Sequence, residues 1–418
     1  MPFFSEPKLR RPEITKRVIC FVLALWMGIG LAATGCSADT EEDTPIPADF
    51  GQYGADIARE LCGQFPYRKA YSAQEKGAGD FIKDAFSALG YSVEEQVFTA
   101  ASGLGYSTNY IVRISGEGFM IPNEQGILTP SDKTVIVGAH YDTVYGQEDA
   151  QTVPDFDGIQ DNACGIGALL TLAQQIAEAK PAYDVILVAF GAGNDQFSGA
   201  RAFLGAMSQE EIEACDAMYC IESIFAGDKL YASSGMNSVA DNMKYAMRRK
   251  LYEAYDVCYD GRLSYLYGVD LLYNQSGQQI NLDADPYMEI YREVTLTQSD
   301  YVPFDSAGIP IVFFESYDYN FAKIEEMKET KNLDLQENGG LIRRTNYDSL
   351  ETLEASLPEG QLEKRINATA YIILGAIMKG THIGVSMSDY EAGVTLAPSP
   401  TQPSETSFAG TASITPVP

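Results

Sequence analysis

Two short, almost unbroken apolar runs mark the middle of the chain, Thr134 to Ala139 (TVIVGA) and Asp184 to Phe190 (DVILVAF). Runs of that length leave no alternate polar positions to meet water, which suits central strands covered on both faces. Between them Asn162 to Ala177 is apolar at helical spacing, so strand, helix and strand form a βαβ unit. Upstream, Glu75 to Leu89 sets Phe81, Ala85, Phe86 and Leu89 on one helical face, and Gly90 stops the helix. Ser92 to Phe98, Asn109 to Ile114, Ala217 to Ser223 and Ile309 to Glu315 (IPIVFFE) read as further strands, and Leu362 to Met378 as a closing helix. Strand and helix signals alternate without internal repeats, which predicts an α/β domain with a mixed, largely buried sheet.

The two ends follow different rules. Five basic side chains lie between Lys8 and Arg17, and an uncharged, mostly apolar stretch follows from Val18 to Ala33. The stretch closes in Leu-Ala-Ala-Thr-Gly-Cys at Leu31 to Cys36. A basic start, a short apolar core and small residues before a cysteine make an export signal. The small-small-Cys ending is similar to a bacterial lipobox, with Cys36 as the lipidated residue. The apolar stretch is short for a full membrane span. The expected organisation is a lipoprotein-type signal peptide over 1–35, an acidic, Pro-containing tether over 36–52, one domain over 53–385, and a Pro/Ser/Thr-rich tail over 386–418 that cannot bury a core. The protein would then be exported and held on the outer face of the cell membrane by its lipid.

Charge and composition narrow the function. The formal net charge is -29, which excludes unspecific binding to nucleic acid or to an anionic membrane face. Five cysteines remain after Cys36, and they match no zinc ribbon, so they read as buried small apolar residues rather than as a disulfide framework. Only two histidines are present, His140 and His382, a small supply for catalytic zinc chemistry.

Six polar motifs lie at or just beyond predicted strand ends, where open α/β sheets gather their functional groups. GAHYDTV carries His140 and Asp142, and DNACGIGALL carries Asp161. FGAGNDQFSGARAF, CIESIFAGDKLY, TQSDYVPFDSAGIP and RRTNYDSLETL follow in order. Singly each has an ordinary explanation: a strand-end histidine is usually structural, and an Asp before a helix is usually an N-cap. Their joint order and spacing are harder to attribute to chance.

Over roughly Gly54 to Ile383 these motifs resemble those of the co-catalytic zinc aminopeptidases of clan MH, relatives of glutamate carboxypeptidase and glutaminyl cyclase. The resemblance implies a three-layer α/β/α sandwich around a mixed, mostly parallel eight-stranded sheet. It also implies two zinc ions sharing a bridging Asp, with a Glu as general base on the bridging water. Paired Lewis acids lower the pKa of water and clamp the substrate carbonyl, and a base must stand within reach.

Carried over residue by residue, His140, Asp161 and Glu222 (where the family usually has Asp) match the first zinc site, and Asp142 matches the carboxylate that orients the histidine. The second site departs from the pattern. Gly193 stands at the general-base position, Asn194 at a ligand position, and Arg344 where the second histidine ligand would be. Tyr301 replaces a further histidine. Arg344 would then pair with Asp161 and Glu222 as a cation in a former cation site. Asp195, one residue past Asn194, is the nearby carboxylate left to act as base or ligand, on a loop aimed elsewhere. Tyr301 and Phe304 are expected to line the cleft. The resulting expectation is an exported lipoprotein of the aminopeptidase family, inactive or strongly altered, which binds a peptide or protein in its cleft with one zinc or none. The alternative is a hydrolase working with a single metal at His140, Asp161 and Glu222.

Overall fold

The computed structural model describes residues 51–394, apart from 101–102, 104, 236–240, 274–277, 281–288, 292–296 and 320–326. The export signal, Cys36, most of the tether and the tail beyond 394 lie outside the described residues.

Eight strands form the central sheet: β1 (Val93–Thr99), β2 (Tyr106–Ile114), β3 (Thr134–His140), β4 (Asp184–Phe190), β5 (Cys215–Ile221), β6 (Lys229–Ser233), β7 (Leu271–Tyr273) and β8 (Ile311–Tyr317). Their order across the sheet is β1-β2-β4-β3-β5-β8-β6-β7. The central strands β4, β3, β5 and β8 run parallel, and so do β6 and β7. β1, β2 and the β8–β6 pair supply the antiparallel contacts. The mixed eight-stranded sheet is the one expected.

The apolar runs are continuous because both faces are covered. Alternate residues of β3 and β4 (Val135, Val137, Ala139; Val185, Leu187, Ala189) enter one apolar cluster. Their neighbours Ile136, Ile186, Val188 and Phe190 enter the other. This is the period of two that a strand imposes. The first face is covered by α1 (Gln52–Gln64), α2 (Ala73–Ala88), α3 (Cys164–Ala179), α5 (Asp241–Asp260) and α7 (Gln361–Met378), and the second by α4 (Ser198–Ala206) and α6 (Tyr301–Ser306). Where α1 meets α3 only glycine fits: a Cβ on Gly54 would stand 2.2 Å from the Gly167 carbonyl oxygen, and one on Gly167 2.4 Å from that of Gly54.

Sequence and structure differ at three places. Ala78 and Ile82, rather than Phe81, are the most deeply buried residues of α2, with Phe86. The tail begins later than residue 386, because Val385–Ser386 pairs with Met120 and Phe119 and Met387–Glu391 is helical. The tyrosine-rich stretch from Asn237 to Asp300 reads in sequence as the edge of a large core, yet its Tyr259 and Tyr265 stand out in solvent. The five described cysteines are free and buried, as expected.

The loop after β3 is tied down by a buried arginine. Arg68 donates to the carbonyls of Tyr141 (2.6 Å), Asp157 (2.5 Å) and Gly158 (2.7 Å). The adjoining Asp157 carboxylate accepts from the backbone of Leu350 and Ile159. Burial pushes the Asp157 carboxyl up to about 6. A carboxyl whose folded pKa is raised holds its proton in the native state where the unfolded chain has lost it, so its contribution to stability falls as pH rises from about 4 to about 6. Asp157→Asn is expected to remove that part of the slope, read as a flatter dependence of the urea midpoint on pH than wild type shows in the same interval.

Candidate functional site

The chain passes from β3 to β4 on one side and reaches β5 on the other, so the C-terminal ends of β3 and β5 flank a point where the winding reverses. Such points open a crevice beyond the strand ends. His140 is the last residue of β3, and Glu222 follows directly on β5. Asp161 arrives on the turn before α3, after which the Asp161–Asn162 peptide bond is cis. Asp348 shapes that turn: its buried carboxylate accepts from the backbone N–H groups of Gln160 (2.7 Å) and Asp161 (3.2 Å).

These three side chains converge. His140 Nε2 lies 3.1 Å from Glu222 Oε2 and 3.1 Å from Asp161 Oδ1. One donor atom from each falls within 4.8 Å of the others, and all three residues are buried. The other ring nitrogen, Nδ1, lies 3.2 Å from Asp142 Oδ1 and 3.2 Å from the Asp142 carbonyl oxygen. Glu222 also accepts from Ser299 Oγ (2.6 Å) and Ser223 Oγ (2.8 Å).

Burial alone would lower the His140 pKa, but the charge of Glu222 and the contacts with Asp142 and Asp161 carry it well above the ordinary imidazole value. For Asp161, burial and then the Glu222 charge raise the carboxyl. Burial also opposes the Glu222 charge, yet His140 outweighs it and, with Arg343 and Ser299, holds that carboxyl below its usual range.

The donor set fits a metal. A single Nε2 proton directed at Glu222 leaves Asp161 Oδ1 buried without a hydrogen bond. A cation among one imidazole nitrogen and two carboxylate oxygens would satisfy all three, and a carboxylate fixing the far ring nitrogen is the usual support for a zinc-bound histidine. Three protein donors with a fourth position open is the pattern of a zinc that can still take a ligand.

Where the resemblance would place a second metal, the described residues bond to one another. The backbone N–H groups of Gly193 (2.6 Å) and Asn194 (3.0 Å) both donate to the Asp142 carboxylate. This draws the loop onto His140: a Cβ on Gly193 would stand 2.5 Å from His140 Cβ and 2.6 Å from its Cγ. Glu75 secures the same loop by accepting from Ala192 N (2.9 Å). Arg344 Nη2 donates to Asn194 Oδ1 (3.2 Å), and its Nε lies 4.0 Å from Asp161 Oδ2. Asn194 and Arg344, at the positions where the resemblance implies two ligands, thus touch each other beside Asp161.

Three expectations need correction. Arg344 was expected to pair with both Asp161 and Glu222. It reaches only Asp161, and its side chain is 62% exposed. The inward-facing cation is its neighbour Arg343, 15% exposed, which sequence reading missed: it lies 3.1 Å from Glu329 Oε1 and 3.7 Å from Glu315 Oε2, and donates to Thr297 Oγ1 (3.2 Å). The one available signal was the Arg343–Arg344 doublet in a chain poor in basic residues. Tyr301 and Phe304 do not line a cleft. Both are fully buried, Tyr301 against Phe313 and Phe304 against Phe190 and Phe203, because α6 packs onto the lower face of the sheet. Asp195 is occupied elsewhere: it accepts from Tyr71 Oη (2.5 Å) and stands outside the donor set. His382 is exposed and stands outside the donor set. Asp300 was also missed. It is fully buried with no hydrogen bond among the described residues, and burial pushes its carboxyl up to about 8.

Comparison with known proteins bears on the fold. The profile of peptidase family M28 matches residues 122–264. The alkaline phosphatase isozyme conversion protein of Escherichia coli (strain K12) is 22% identical over 338 residues, 79% of this chain and 90% of that protein. Among solved structures, a glutaminyl cyclase of an Acidobacteriales bacterium superposes with a TM-score of 0.53 at 17% identity, covering 83% of this chain and 100% of that one. The zinc aminopeptidase BSAP from Bacillus subtilis gives 0.51 at 12% identity, covering 77% and 94%. The clan MH resemblance is borne out: this is the fold of the zinc aminopeptidases and glutaminyl cyclases, and residues 122–264 match the M28 profile.

Proposed function

We propose that this relative of the M28 peptidases is an exported lipoprotein that keeps one metal position and a peptide-binding cleft but has lost efficient hydrolysis. The observation that carries the reading is the packing of Gly193 against His140. At the position where the family resemblance places a general base there is no proton-accepting group, and the loop leaves no room for one. A bound zinc would supply Lewis acidity at the open fourth position. The chain's own residues would hold it through His140, Asp161 and Glu222, with Asp142 keeping the His140 proton on Nδ1. Arg344 has no lone pair for a metal, and the Asn194 amide oxygen already accepts from it.

A second reading, a slow hydrolase with a single metal, is favoured by the intact first site. The two readings separate on aminoacyl-nitroanilide turnover by zinc-saturated protein, measured with and without chelator. Chelator-sensitive turnover would overturn the first reading. Zinc titration against a chromophoric chelator is expected to give one equivalent per chain. His140→Ala should weaken that binding by about 100-fold or more, since even outer-shell partners of zinc ligands cost 10–100-fold when removed. Two equivalents in the wild type would contradict the loss of the second site.

Lipidation rests on the Leu31 to Cys36 pattern. Cys36→Ser is expected to abolish incorporation of labelled fatty acid. Among the described residues no helix is long and apolar enough to cross a membrane.

A further inference from the structure

Arg343 and Arg344 are adjacent in sequence and opposite in circumstance. The guanidinium of Arg343 is turned inward among Glu315, Glu329 and Thr297. That of Arg344 is 62% exposed at the mouth of the site, and one hydrogen bond, to Asn194 Oδ1, is all it makes to the described residues. A guanidinium carries five N–H groups in a fixed fork. The Arg344 fork is therefore mostly unspent, and the Asp161 oxygen 4.0 Å away gives an exposed charge little compensation.

Its placement is nonetheless fixed. Arg344 has a left-handed backbone, with φ of 59°. Tyr145 Oη donates to its carbonyl oxygen (2.8 Å), and Thr345 Oγ1 closes the turn onto the Ile342 carbonyl (2.7 Å). Asn194, which takes the one hydrogen bond, is itself held by Asp142 through its backbone N–H (3.0 Å). A planar cation is thus oriented by a neutral amide on a protein whose net charge is -29.

We infer that Arg344, oriented by Asn194, forms an anion subsite at the rim of the metal position and recognises a carboxylate of the bound peptide. This rests on the peptide-binding reading above and gives it a substrate class. A guanidinium fork pairs with a carboxylate through two parallel hydrogen bonds, which a lysine or a glutamine cannot reproduce. The carboxylate could be the C-terminal group of the peptide or an acidic side chain.

Isothermal titration of zinc-saturated protein with Ala-Ala-Ala, Ala-Ala-Ala-amide and Ala-Glu-Ala-amide tests this. Wild type is expected to bind at least one carboxylate-bearing peptide about tenfold more tightly than Ala-Ala-Ala-amide. The peptide that does so identifies the source of the carboxylate. Arg344→Gln is expected to erase the preference while leaving affinity for Ala-Ala-Ala-amide, zinc stoichiometry and Tm unchanged, and Arg344→Lys to keep only part of it. Equal binding of all three by wild type, or an undiminished preference in Arg344→Gln, would overturn the subsite while the cleft reading stands. Failure of wild type to bind any of the three would overturn both.

Discussion

Arg343→Met is expected to destabilise the protein by about 3–5 kcal/mol, the range for removing one partner of a buried ion pair. The size follows from what is left behind. Glu315 sits inside the sheet with Oε1 accepting from Tyr319 Oη (2.5 Å) and Oε2 from Thr297 Oγ1 (2.5 Å). Glu329 accepts from Gln160 Nε2 (3.1 Å) and from the backbone of Ile342 (2.7 Å) and Arg343 (2.9 Å). Both carboxylates are almost wholly buried, and burial already raises the Glu315 carboxyl against the pull of Arg343. Without the guanidinium the charges of Asp161 and Glu222, which Arg343 also helps to offset, would lie over the same uncompensated region. The effect should appear as a lowered urea midpoint at unchanged m-value. Adding Glu315→Gln and Glu329→Gln to Arg343→Met is expected to recover more than half of the loss, because the stranded charges go with the cation. If the triple variant is no better than the single one, the cost lies in packing and the electrostatic account fails. Should Arg343→Met not accumulate, Arg343→Lys keeps the charge without the fork and is expected to fall between it and wild type.

The second large effect concerns Gly193. Gly193→Ala is expected to cost about 1–3 kcal/mol in stability, as overpacking does, and to weaken zinc binding by about 10–100-fold, as disturbing the support of a zinc ligand does. The new methyl would lie within 2.6 Å of two His140 atoms, so the ring or the loop must move. Neither moves freely. The ring is held at Nδ1 by Asp142, and the loop is held by the same carboxylate and by Glu75. It follows that restoring the family pattern with Gly193→Glu, Asn194→Glu and Arg344→His together should not restore hydrolysis. Chelator-sensitive turnover by that triple variant would show that the loop can reopen, and that only side chains were lost.

Much of this was legible in the chain itself. Short apolar runs with one βαβ unit located the sheet, since strands buried on both faces have no polar alternation to display. His140, Asp161 and Glu222 were legible because each ends a strand or opens a helix, where motif spacing maps directly onto position. What lay beyond reach depended on tertiary direction. Neighbours on a turn point opposite ways, and nothing in RRTNYDS says which arginine is drawn inward; Tyr145 and Glu329, remote in sequence, decide it. Tyr301 and Phe304 share a motif with Ser299, which does reach Glu222, but the short α6 turns their rings down onto Phe190 and Phe313. The crowding at Gly193 was equally hidden, because the substitution alone reads as a missing side chain and not as a closed space.

Asp348 has a bearing on how readily the first metal position could be filled. The turn presenting Asp161 takes its shape from the Asp348 carboxylate and from Arg68 behind it, and neither belongs to the donor set. The backbone that carries Asp161 is therefore positioned by groups that would take no part in holding a cation, so the donor geometry is set in advance of any ion.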